Sequence, residues 1–99
     1  MRDAQTVRSF KATRKAIRGI LRRCDPIGLI RLGAPPDEYD PEVGTIMPRL
    51  EEATSQLELR RIVHEEFVAW FGAGTAGAVE LYDRCAAEIW EQCCGRAGD

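Results

Sequence analysis

The stretch SQLELRRIVHEEFVAWFG, residues 55–72, decides the fold. Leu59, Ile62, Val63, Phe67 and Trp70 recur three or four residues apart, apart from the adjacent Ile62 and Val63, and fall on one stripe of an α-helix. Ser55 and Glu58 have the Ser-x-x-Glu spacing of a capping box, in which each side chain satisfies the other residue's backbone donor. Gly72 is a natural stop. The spacing therefore predicts a helix over about 56–71, entered through a cap and buried along one face.

Outward from this segment the same periodicity recurs. Downstream, a glycine-rich turn leads into Val79, Tyr82, Cys85, Ala86, Ile89, Trp90 and Cys93, a helical stripe running to Gly95, so a helix over about 77–94 is expected. Upstream, Asp40-Pro41-Glu42 reads as a helix start, with Asp40 as a side-chain cap and Pro41 in the first turn. That helix, about 41–53, carries Val43, Ile46, Met47 and Leu50 inward, and Pro48 should bend it. A first helix, about 5–23, has Val7, Phe10, Ile17, Ile20, Leu21 and then Cys24 on its apolar side. Asp25-Pro26 ends it, because a residue before proline is driven out of the helical region. Between helices one and two, residues 25–40 hold three prolines, two glycines and four acids together with Ile27, Leu29, Ile30, Leu32 and Tyr39. An ordered, partly buried loop is expected there, since long idle loops are uncommon in small domains. No strand-like alternation and no repeat is present, so the expected fold is a small all-α, four-helix single domain spanning residues 1–99, with a long ordered Pro/Gly/acidic loop between helices one and two.

Composition narrows the class. A chain of 99 residues with 44% hydrophobic and 30% charged residues is a globular domain rather than a disordered one. Its small size makes self-association useful, and a homodimer is left open. No apolar run approaches the roughly 18 residues of a membrane span. The N-terminus lacks the pattern of a secretory leader, so a cytoplasmic location is the default expectation. Cys24, Cys85, Cys93 and Cys94 form no C-x-x-C pair and are expected as reduced thiols, with the adjacent Cys93-Cys94 prone to oxidation between chains during handling.

Charge is strongly segregated although the net value is only −2. Through Leu32 there are nine Lys or Arg against two acids, a balance of +7, whereas the remainder has five against fourteen, a balance of −9. The reading taken first is that a basic helix lies along acidic ones within the fold. The alternative is a nucleic-acid contact through Arg8, Lys11, Arg14, Lys15, Arg18 and Arg22, all on one side of helix one. An overall isoelectric point near 5.4 and the absence of a helix-turn-helix signature place it second.

Catalytic and metal constellations are not apparent. His64 is the only histidine, and HEEFV lacks the second histidine of a zinc-protease helix. Asp37, Glu38, Asp40 and Glu42 lack the glycine and ligand spacing of a calcium loop, and are expected to cap or favour the helix start or to pair with Arg31 or the arginines of helix one. Trp70, Phe71, Tyr82 and Trp90 are expected in the core. No cofactor, no metal site and no catalytic residue is expected.

The runs Asp25-Pro26-Ile27-Gly28 and Ala34-Pro35-Pro36-Asp37-Glu38-Tyr39-Asp40 carry a resemblance. They resemble the D-P-I-G and A-P-x-D-E-Y-D pattern of a family of short bacterial helical proteins of unknown function. Members commonly have tryptophan where this chain has Cys24. The resemblance implies a helical fold and transfers no catalytic residue. The function expected is a non-enzymatic protein-interaction module, of adaptor or immunity (inhibitor) type. Its expected contact surface is Arg31, Asp37, Glu38 and Tyr39, because loops on rigid scaffolds often carry binding.

Overall fold

A computed structural model describes residues 2–35 and 37–94, with side chains from residue 10 onward. Four α-helices follow one another: α1 (Arg2–Cys24), α2 (Asp40–Ile46), α3 (Gln56–Ala76) and α4 (Asp83–Ile89). Short 3-10 segments, Met47–Glu52 and Val79–Tyr82, extend α2 and introduce α4, and a π-helical turn, Trp90–Cys94, follows α4. Among the described residues there is no strand, and the protein is all-α.

α2 and α4 each pack against both α1 and α3, so the two short helices bridge the two long ones. Ile17, Ile20 and Leu21 of α1 meet Val43 and Ile46 of α2, Leu59, Val63 and Phe67 of α3, and Cys85, Ala86 and Ile89 of α4 in one core. Each fully buried Ile, Leu or Phe contributes about 1.5–3 kcal/mol through removal of apolar surface from water. None of residues 10–16 is buried, and Phe10, on the stripe that continues into Ile17, is exposed.

The helix boundaries have local causes. Asp25 takes a left-handed backbone (φ 46°), which asparagine and aspartate tolerate better than other residues, and its N–H donates to Leu21 O at 2.7 Å to close the end of α1. α2 begins at Asp40 itself, with no side-chain cap hydrogen bond. The expected capping role of Asp40 is therefore corrected: its Oδ1 lies 3.1 Å from Arg18 Nε, an ion pair that ties α2 to α1. Pro48 turns the end of α2 into the 3-10 segment, since its missing N–H cannot extend an α-helical ladder. Ser55 Oγ accepts from Glu58 N–H at 3.1 Å, but the carboxylate of Glu58 reaches one residue farther than a capping box would, accepting from the N–H and hydroxyl of Thr54 at 2.9 and 3.0 Å.

α3 is broken near its end. Gly72 sits at φ 87°, ψ 155°, a conformation essentially restricted to glycine, and one further turn of helix follows before Gly77. Two side chains clamp that turn. Tyr82 donates its hydroxyl to Ala76 O at 2.6 Å, and His64 Nε2 lies 2.8 Å from Gly77 O. A carbonyl only accepts, so this nitrogen of His64 carries the proton. His64 is thereby a structural residue, stacked beside Tyr82 with ring centroids 5.4 Å apart.

Candidate functional site

Residues 25–35 and 37–39 run largely through turns, with backbone hydrogen bonds made within the segment. Gly28 N–H donates to Asp25 O, Gly33 N–H to Ile30 O, Ala34 N–H to Leu29 O and Glu38 N–H to Pro35 O, all between 2.9 and 3.0 Å. One carboxylate organises the segment. Asp25 Oδ1 accepts from Ile30 N–H at 2.9 Å and from the Tyr39 hydroxyl at 2.6 Å, while Oδ2 accepts from Arg31 N–H at 2.9 Å. Tyr39 also accepts from Leu29 N–H at 3.3 Å. Its ring packs on Phe67 of α3 at 5.6 Å between centroids, so a single side chain joins the end of α1, the turns and the core.

Electrostatics follow from this arrangement. Partial burial pushes the Asp25 carboxyl upward, but the hydroxyl of Tyr39 and the N–H groups of Ile30 and Arg31 outweigh it and leave its pKa below the ordinary value. Burial, and then the hydrogen bond to Asp25, push the Tyr39 hydroxyl well above its ordinary value. The two halves of the DPIG and DEYD pattern thus meet as the acceptor and donor of one charge-assisted bond.

The four residues expected at a protein contact are separated by this geometry. Arg31 and Asp37 are exposed and Glu38 is half-buried, whereas Tyr39 is only 1% exposed and is corrected to a brace. Leu32, expected among the apolar residues that bury the loop, is instead 83% exposed on backbone fixed by Asp25. Pro36 lies outside the described residues. Trp70 also departs from expectation: it is 47% exposed and donates Nε1–H to Thr45 Oγ1 at 3.1 Å instead of filling the core.

Among the described residues, two ion pairs join the basic helix to acids elsewhere in the chain. Arg18 meets Asp40, and Arg23 meets Glu88 at 2.6 Å. Four acids of the second half are held by that half's own arginines. Arg49 contacts Glu52, Glu65 and Glu66 at 2.9–3.2 Å, Arg60 pairs with Asp83, and Arg61 with Glu65. Lys11, Arg14, Lys15 and Arg22 consequently have no acidic partner among the described residues. Together with Arg18 they line two adjoining open concavities of about 410 and 250 Å³ along α1. The side chain of Arg8 lies outside the described residues.

Among the described residues no group of three or more His, Cys, Asp or Glu side chains is placed to hold a metal ion. Glu42 is buried at 2% exposure with Oε1 unpartnered, and burial, then the nearby Glu38 and Asp40, raise its pKa. No described helix is long and apolar enough to cross a membrane.

No family model matches the chain, and neither a curated protein nor a solved structure matches it. Fold and surface define a small all-α protein with a braced turn and an open basic helix face.

Proposed function

We propose that this chain is a non-enzymatic interaction module for an acidic protein surface, acting as an adaptor or as an inhibitor of its partner. The observation that carries this reading is the open basic face of α1, where Lys11, Arg14, Lys15 and Arg22 have no acidic partner among the described residues while Arg49, Arg60 and Arg61 of the second half are engaged by acids. Arg31 and Leu32 supply a cation and an apolar knob on a turn already fixed by Asp25, so little ordering entropy is lost when they dock. A protein is favoured over a polyanion because the remainder of the chain is strongly acidic and would repel an extended phosphate backbone.

Affinity capture from native lysate by three proteins tests the reading: wild type, Lys15→Glu/Arg22→Glu, and Arg31→Glu/Leu32→Asp. A stoichiometric partner, retained by wild type and lost from both variants at unchanged helicity, is expected. Retention of the same partner by the charge-reversed α1 variant overturns it.

Nucleic acid is the second reading of the same face. Five cations on one side of α1 would neutralise several phosphates, and binding would then weaken with a slope of about −4 in log affinity against log salt. Tight, salt-sensitive binding of a labelled duplex, lost with Lys15→Glu/Arg22→Glu, would favour it over the protein partner.

A further inference from the structure

Anions of this chain border the basic face of α1. Arg18 belongs to the row Lys11, Arg14, Lys15, Arg18 and Arg22 that lines the two adjoining concavities, and its Nε lies 3.1 Å from Asp40 Oδ1 at the start of α2. Asp40 N–H donates to Asp37 O at 3.0 Å, a turn that keeps Asp37 and Glu38 close to the point where acid and row meet. Asp37 is exposed and Glu38 half-buried. Pairing with Arg31 or helix one was the expectation from sequence, yet among the described residues neither acid makes an ion pair. A patch of unpaired cations thus stands beside a patch of unpaired anions.

We propose that this face is an interface between two copies of the chain, with Lys11, Arg14 and Lys15 of one copy set against Asp37 and Glu38 of the other, and the reverse. Neighbouring patches of opposite sign are self-complementary about a twofold axis: half a turn places each copy's cations on the other's anions, every contact occurs twice, and the assembly closes at two. The inference rests on reading the α1 face as one for an acidic protein surface, and names its occupant in the free protein. A foreign partner richer in acid would displace the second copy.

The forces set the character of the pair. Phe10, 55% exposed on the same half of α1, supplies an aromatic contact that a single copy leaves in water. The charges around it are exposed, so each pair of opposite sign contributes little, and salt screens it. A weak, concentration-dependent and salt-sensitive dimer follows.

The test is the mass of the full, reduced chain by sedimentation velocity, over a wide range of concentration, at about 0.05 M and about 0.5 M salt, between which the screening length falls from about 14 Å to about 4 Å. At low salt the average mass should climb with concentration from one chain to two and stop there; at high salt it should stay near one. Lys11→Glu/Lys15→Glu and Asp37→Lys/Glu38→Lys should each weaken pairing by about tenfold or more at unchanged helicity. Mixed together, the two variants should pair again, because both contacts of the mixed pair join opposite signs. If the second variant loses helicity, Asp37→Lys alone takes its place in the mixture. A single chain at every concentration in low salt, a pair that persists in high salt, growth past two copies, or variants that do not complement each other overturns the proposal. A chain that stays single yet captures a foreign acidic protein sinks this inference and leaves the proposed function standing; a complementing pair that captures nothing does the opposite.

Discussion

Replacing Tyr39 with phenylalanine isolates the brace on which the DPIG and DEYD segments converge. The ring stays on Phe67, 5.6 Å between centroids, while the hydroxyl and its two hydrogen bonds vanish. The bond to Asp25 is short, at 2.6 Å, and its acceptor is charged, a class of bond that contributes about 1.5–3 kcal/mol. Asp25 is only partly buried, which argues for the lower end; the long contact from Leu29 N–H at 3.3 Å adds little. The expected loss is about 2 kcal/mol, and a domain of this size should melt about 8–16 °C lower. Urea unfolding followed by far-ultraviolet circular dichroism measures it, with an unchanged slope as the sign that the unfolded state is the same. The pH dependence gives an internal check. Asp25 has a folded-state pKa below its ordinary 3.8, so the stability it contributes is present above 3.8 and disappears as pH falls through the folded-state value. The difference between wild type and Tyr39→Phe should therefore narrow in acid. A loss under about 0.5 kcal/mol at neutral pH, or one equally large in acid, refutes the assignment of Tyr39 and Asp25 as the brace.

Three further outcomes follow from the same geometry. Glu42→Met removes a buried, unpartnered carboxylate oxygen and its repulsion with Glu38 and Asp40. It should raise stability at neutral pH by about 1 kcal/mol in chemical denaturation. That gain should fade as pH falls through the raised folded-state value and be gone by the ordinary value of 4.5, since Glu42 disfavours folding only when ionised. Arg49→Ala severs the contacts of the 3-10 segment with Glu65 and Glu66 and should cost about 1 kcal/mol, most of it abolished by high salt because these pairs are half in water. In alkali, Tyr39 and Tyr82 are both held protonated by burial above the ordinary value of 10.0. Stability that is intact below pH 10 should fall as pH rises beyond it, and thermal melts between about pH 9 and about pH 12 will show this loss, smaller in Tyr39→Phe.

Helical periodicity made the architecture legible because it is a local property. Leu59, Ile62, Val63 and Phe67 lie in the core where the pattern of residues 55–72 puts them, and Gly72 breaks α3 as expected, although one more turn follows it. Side-chain roles at the helix starts were less legible, since several partners compete for each acid. Asp40 turned to Arg18 and not to its own helix, and Glu58 turned to Thr54 and not to Ser55. Tyr39 illustrates why the candidate site resisted sequence reading. Its acidic neighbours suggest a surface position, yet its acceptor is an aspartate 14 residues upstream and its stacking partner lies 28 residues downstream. Leu32 was misplaced for the opposite reason: an apolar residue in a turn reads as core material unless the turn is known to point outward.

Charge segregation is the feature that ties the fold to its proposed role. Arg49 alone contacts three glutamates, which leaves fewer anions able to compensate α1, and among the described residues only Asp40 and Glu88 reach across to it. Lys11, Arg14 and Lys15 stand in a stretch with no buried residue at all between Phe10 and Ala16. Like charges three and four residues apart on this stretch repel, and a partner of opposite sign would relieve that repulsion. Binding of an acidic surface should accordingly do more than add contacts. Amide exchange over residues 10–16 should slow in the complex, whereas contact confined to Arg31 and Leu32 would leave that exchange unchanged.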